Sequence, residues 1–178
     1  GPSGLNAMAQ AVVNVASGDS NPIVSVMAVE AVRALAHSLP MGIAEPDNID
    51  ARSEALFGAC MAGGSLGTGT TSLHHRLCHT FGGSFNTPHA ETHTILLPHC
   101  VAYNAAATKE GTRRLAEAMG VEDAAVGIFE LAKSLGAPTA LKEIGIQESD
   151  LDKAASIATE SPVNNPEVVT TDRVRALL

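Results

Sequence analysis

Residues 73–93 read LHHRLCHTFGGSFNTPHAETH and hold five of the seven histidines. His75 and His79 are four residues apart on a helical pattern, so they share one helix face, and His89 and His93 share a face of the next helix. The glycine-rich link at residues 82–88 allows the two helices to turn toward each other. The spacing therefore predicts a helical hairpin that brings up to four imidazoles together.

The composition favours helices over sheets. About 45% of the 178 residues are hydrophobic, only 3% are aromatic, and Ala, Leu, Val and Ile dominate the apolar set. The sequence predicts one all-α helical bundle over residues 1–178, with a surface connection at residues 40–49. Apolar positions recur at helical spacing in residues 6–17, 22–39, 50–63, 70–81, 90–107, 108–119, 121–135, 141–145, 149–158 and 172–178.

The charge balance argues against a nucleic-acid partner, because 11 basic residues face 19 acidic ones and the net charge is -8. Neither an apolar run of 18 residues nor a secretory signal pattern is found, so we expect a cytoplasmic protein without a membrane partner. Cys60, Cys78 and Cys100 are odd in number and lie in apolar segments. They are predicted to be buried, reduced thiols.

Some features favour a structural interpretation. The glycine-rich residues 63–71 lack the GK[ST] ending of a phosphate loop, so they are expected to allow a close helix approach or a turn. His37 is predicted to lie near a helix end, where a favourable interaction with the helix dipole is a sufficient reason for a histidine. His74 and His99 are predicted to be bystanders of the histidine cluster.

Convergent imidazoles have two main chemical uses. Neutral rings bind divalent metals, and protonated rings donate protons or stabilise a developing oxyanion. Six histidines fall within residues 74–99, which favours a functional site over chance accumulation.

The run at residues 73–99 closely resembles the iron-containing alcohol dehydrogenase family. His75, His79 and His89 match the histidine signature of that family. The block PHAETH at residues 88–93 resembles the maleylacetate reductase branch, as do residues 3–8 and 160–166. The resemblance spans nearly the whole chain.

This resemblance implies a fold and an activity. The fold is the dehydroquinate synthase-like C-terminal helical domain, which in the family follows a nucleotide-binding α/β domain that residues 1–178 lack. The implied activity is NAD(P)H-dependent reduction of the conjugated double bond of maleylacetate to give 3-oxoadipate in aromatic compound degradation. It also implies a homodimer, a cofactor (NADH or NADPH) held mainly by the absent domain, and an isolated fragment that is inactive.

The family's metal positions correspond to Asn6, Gln10, His75 and His89. Neutral amides are poorer ligands for a divalent metal than a carboxylate or an imidazole, so we expect that no metal is required. A site without a divalent metal suits an enone substrate, because hydride addition to the alkene carbon remote from the ketone gives an enolate without help from a Lewis acid.

The expected roles follow from the resemblance and from this chemistry. His79 is the leading proton donor, while His75 and His89 hold the oxyanion or a carboxylate. The predicted substrate-binding residues are Asn6, Gln10, Arg76 and His93.

Two alternatives remain open at this point. The protein could be another family member that reduces a small aldehyde or ketone. It could also be a non-catalytic helical module that binds metal through its histidines.

Overall fold

The computed structural model describes residues 2–16, 21–66 and 72–178, and within these residues it contains helices and no strands. The all-α prediction is therefore confirmed. A 3₁₀ turn at Leu141–Ile144 lies between α7 and α8. The helices are α1 Pro2–Ala16, α2 Pro22–Ala44, α3 Ile49–Leu66, α4 Leu73–Phe85, α5 His89–Asn104, α6 Lys109–Met119, α7 Ala124–Ser134, α8 Glu148–Ala158 and α9 Thr171–Leu177.

The predicted surface connection at residues 40–49 is wrong over its first half. Helix α2 continues through Pro40 to Ala44, so the link to α3 is only residues 45–48. Packing against α3 outweighs the hydrogen bond that Pro40 removes. The two helices approach closely at Gly58, where a Cβ would lie 2.9 Å from Leu35 Cγ.

The longer α2 also changes the interpretation of His37. Its ring lies within the helix rather than at its end, and Nδ1 is 2.8 Å from Glu54 Oε2 on α3. An exposed pairing with Glu54 therefore replaces the predicted interaction with the helix dipole.

Two hydrophobic cores fill the bundle, and α5 contributes to both. The first core gathers side chains from α1, α2, α3, α6 and α7, with Leu97 and Val101 of α5. The second joins α4, α8 and α9 to Ile95, Leu96 and Cys100 of α5. Residues 92–98 of α5 are all buried, so this part of the helix is held in a fixed position beside α4.

Helix α2 is long and apolar enough to cross a membrane by composition alone. Nine of its residues are buried inside the bundle, against neighbours that include α1 and α3. Burial in the protein core thus accounts for its apolar character.

The prediction for the cysteines is correct for two of three. Cys78 and Cys100 are buried, whereas Cys60 is exposed, and all three are free thiols. Cys60 shares the outer face of α3 with the exposed Leu56 and Phe57. Helix α3 is apolar on both faces, so periodicity alone does not locate its core side. Residues 67–71 of the glycine-rich run lie outside the described residues.

Candidate active site

A tight turn between α4 and α5 sets the histidines against each other. Gly82 and Gly83 are still helical, and α4 ends at Asn86, which adopts a left-handed conformation with φ 53°. Asparagine tolerates this region better than most residues. Helix α5 begins three residues later at His89, so the predicted hairpin is confirmed with a shorter link.

Four histidines form one imidazole cluster, namely His74, His75, His89 and His93. The ring of His93 is central: its centroid is 4.2 Å from that of His89, 4.9 Å from that of His74 and 5.5 Å from that of His75. His74 Nε2 lies 3.1 Å from the His93 carbonyl oxygen, to which it can donate. His74 is therefore part of the cluster, and its interpretation as a bystander is wrong.

Burial divides the cluster into an inner and an outer layer. His74 and His93 are 1% and 2% exposed, whereas His89 is exposed. His79 is not a member of the cluster and is also exposed. Burial lowers the pKa of His74 to about 4 and the pKa of His93 to about 3. Burial also lowers the pKa of His75, helped by repulsion from His79 and His89. The inner rings are thus neutral at pH 7.

A cavity of about 490 Å³ opens beside α4, and three predicted site residues line it together. These are His75, Arg76 and His79. Arg76 is adjacent to His75 in sequence, yet its guanidinium reaches the same cavity, where Nη1 donates to Ser161 Oγ at 3.1 Å. The cavity thus offers imidazoles and a guanidinium to one small molecule.

Helix α1 brings two amides to this region. Gln10 Oε1 is 3.1 Å from His75 Nε2, which can donate to it. Asn6, one turn earlier on α1, has a buried Oδ1 without a hydrogen-bond partner. A buried acceptor without a partner is costly, so it is available for a bound group.

Neither His89 nor His93 of the predicted site lines this cavity, and the predicted bystander His99 does not line it either. His93 is buried beneath the outer histidines, so it supports them instead of facing the open cavity. His99 is exposed near Tyr103 and Arg173 on another surface, as a bystander would be.

The far wall of the cavity was missed from the sequence alone. It consists of Pro162, Val163 and Asn164, which follow α8. This segment has no periodicity, and only its proline and asparagine content marks it as an ordered turn.

Comparisons with known proteins identify the family of this chain. The sequence model of the Fe-containing alcohol dehydrogenase family, C-terminal, matches residues 2–178. The chain belongs to the iron-containing alcohol dehydrogenase family. It is 46% identical over 176 residues to the maleylacetate reductase of Sphingobium indicum, covering 99% of this chain and 50% of that protein.

Solved structures show the same fold. Maleylacetate reductase from Agrobacterium tumefaciens superposes with a TM-score of 0.95 at 45% identity. An iron-containing alcohol dehydrogenase from Corynebacterium glutamicum gives 0.92 at 40% identity. Each match covers 99% of this chain and 50% of the other, so the chain spans about half the length of these relatives.

The residues at the family's metal positions do not fit a divalent iron. Asn6 and Gln10 supply neutral amide oxygens, and Gln10 Oε1 already accepts from the His75 ring. Only His75 and His89 remain as strong ligands, and no carboxylate is present in the set.

Proposed function

We propose that this chain is the C-terminal catalytic part of a maleylacetate reductase, a cytoplasmic, homodimeric enzyme that uses NADH or NADPH. The observation that carries the proposal is the 46% identity to a maleylacetate reductase over almost the whole chain. The cavity of His75, Arg76 and His79 supports it, because a small dicarboxylate needs a cationic partner beside a proton donor.

Substrate binding rests on Arg76 and the two amides. The Arg76 guanidinium can hold one carboxylate through two parallel hydrogen bonds. Asn6 and Gln10 approach from α1 and can hydrogen-bond the other end of the substrate. The cofactor would be held mainly by the half of the protein that precedes this chain.

Reduction takes place in two steps. NAD(P)H, when bound, would supply a hydride to the alkene carbon remote from the ketone, and the alkene electrons would move onto the ketone oxygen to form an enolate. The ring of His89 can donate to that oxyanion, and so can His75 when its Nε2–H turns from Gln10 Oε1 to the substrate. The enolate then takes a proton at the carbon next to the ketone, which gives 3-oxoadipate and NAD(P)⁺.

His79 is the favoured proton donor because of its position. It lines the cavity and is exposed, so it can regain a proton from water after each turnover. Burial instead keeps His75 neutral, which suits a hydrogen-bond donor to the oxyanion.

Reduction without a metal is consistent with the same residues. The set of Asn6, Gln10, His75 and His89 holds no carboxylate, and an enone already delocalises charge onto its own oxygen. A second candidate, reduction of a small aldehyde or ketone, is favoured by the likeness to the iron-containing alcohol dehydrogenase of C. glutamicum.

A substrate comparison tests the proposal. The protein, joined to its nucleotide-binding half, should oxidise NADH or NADPH with maleylacetate, and treatment with a chelator should leave the rate unchanged. A preference for simple aldehydes together with metal-dependent turnover would overturn it in favour of the second candidate. Residues 1–178 alone should show no appreciable turnover.

A further inference from the structure

A second group of ligating side chains lies beneath the cavity. His74 and Cys78 are one turn apart on α4, and His93 faces them from α5. One ligand atom from each lies within 4.8 Å of the others, and all three residues are buried. The Cys78 sulfur is 3.7 Å from His74 Nε2. We call these three residues the His–Cys–His group.

Two nitrogen atoms of this group have no hydrogen-bond partner within the protein. Nδ1 of His74 and Nδ1 of His93 are both buried without a partner. Native proteins rarely leave such atoms unpaired, because a buried polar atom without a hydrogen-bond partner destabilises the fold. These atoms lack a partner that a bound ion would supply.

We propose that the His–Cys–His group is a closed binding site for a thiophilic monovalent cation, with Cu(I) as its ligand. A thiolate is a soft donor of the kind that Cu(I) prefers, and neutral imidazoles also suit copper. The site shares no residue with the family's metal positions Asn6, Gln10, His75 and His89.

Charge selects the monovalent ion. On binding, the Cys78 thiol releases its proton to solvent, and the resulting thiolate carries one negative charge. One positive charge then gives a neutral complex, which burial requires, whereas a divalent ion would leave a net positive charge in the interior.

An ion in this site would also stabilise the position of His89. The His93 ring contacts the His89 ring at a centroid distance of 4.2 Å and an interplanar angle of 47°, so an ion that holds His93 also restricts the movement of His89. A cation here thus acts on the orientation of a residue in the proposed reaction without touching substrate.

Anaerobic titration with Cu(I) against a Cu(I)-specific chelator tests the proposal. We expect one equivalent to bind, with a near-ultraviolet absorption from thiolate-to-copper charge transfer. C78S should abolish that absorption and weaken binding by more than about 100-fold, since changes even to outer partners of a metal site cost 10–100-fold. C60S is the matched control, because Cys60 is exposed and lies on α3, outside the His–Cys–His group. This variant should bind Cu(I) as the parent does.

X-ray absorption at the copper edge tests the same site in the unmodified protein, so the result does not depend on whether a variant folds. It should show one sulfur and two nitrogen ligands. Nitrogen and oxygen ligands only would overturn the proposal, as would a charge-transfer band that survives C78S or disappears in C60S. Failure to compete for Cu(I) at all would also overturn it, while the proposed reductase activity would stand unaffected.

Discussion

Asn104 and Asn165 exchange two side-chain hydrogen bonds across 61 residues of sequence. Asn104 Nδ2 donates to Asn165 Oδ1 at 3.1 Å, and Asn165 Nδ2 donates to Asn104 Oδ1 at 2.7 Å. Asn165 Oδ1 also accepts from the Leu73 backbone N–H at 3.4 Å. Asn104 ends α5 and Leu73 begins α4. This pair therefore ties the cavity wall to the two helices that carry the histidines.

Replacing Asn165 with alanine should destabilise the protein by about 1–3 kcal/mol, because it removes two hydrogen bonds from the buried Asn104 amide and leaves its Nδ2 donor without that partner. KM for maleylacetate should rise as the wall loosens. N104A, N165A and the double variant form a double-mutant cycle, measured by urea denaturation. The free energy of unfolding lost in the double variant should be much smaller than the sum of the two single losses. Strict additivity would show that the pair is not coupled.

His79→Ala should lower kcat in the enzyme joined to its nucleotide-binding half by about 10²- to 10⁴-fold, since it removes the proton donor. Steady-state rates at several pH values measure this. His99→Ala removes an exposed histidine on another surface and should behave as the parent. Turnover of the His79 variant equal to the parent at every pH would exclude the assigned role.

Arg76→Lys should raise KM for maleylacetate by about tenfold while kcat changes little, because lysine keeps the charge but loses the fork that holds a carboxylate. Arg76→Ala should raise KM further. Arg52→Ala on α3 is the matched control, and it should leave both parameters unchanged. An effect of Arg76→Lys on kcat alone would place the side chain in the reaction step instead of in binding.

Acid should destabilise the fold before any carboxylate titrates. In the folded protein burial lowers the pKa of His93 to about 3 and that of His74 to about 4, from an ordinary value of 6.5. Between pH 6.5 and about 4 the unfolded chain binds protons that the folded chain excludes, so stability is full above pH 6.5 and falls below it. We expect a loss of about 2–4 kcal/mol from pH 7 to pH 5 in urea denaturation.

The variant His93→Phe should show a shallower loss of stability over the same pH range. His37→Ala should keep the parent slope, since that ring is exposed. An unfolding free energy that does not change between pH 7 and pH 5 would contradict neutral burial of these rings.

One thiol of three should react with a thiol reagent such as DTNB in the native protein. Cys60 is exposed, whereas Cys78 and Cys100 are buried, and burial raises the pKa of both. Thiolate is the reactive form, so the buried pair should react only after denaturation. C60S should remove the native reaction entirely, and any fast remaining reaction would show that the interior opens.

The sequence predicted those features of the site that depend on helix periodicity. The four-residue spacing of His75 and His79 placed them on one face, and both line the cavity. The bystander role predicted for His74 is wrong, because the burial of this ring depends on how α4 packs against α5. Pro40 was taken as a helix end, since local rules do not include the packing of α2 on α3.

The cavity wall at residues 162–164 could not be predicted in the same way. It lies in an irregular segment, and the two hydrogen bonds between the next residue, Asn165, and Asn104 hold it in place. Contacts between residues so distant in sequence leave no periodic signal.

Helix α5 belongs to both hydrophobic cores, and this determines how the molecule opens. Neither core can separate without exposing one side of α5, so the two should unfold in a single cooperative transition. Backbone amides near Leu96 and Leu97 should therefore exchange with deuterium only through global unfolding. Because His93 lies one turn earlier on the same helix, the histidine arrangement should persist for as long as the protein is folded.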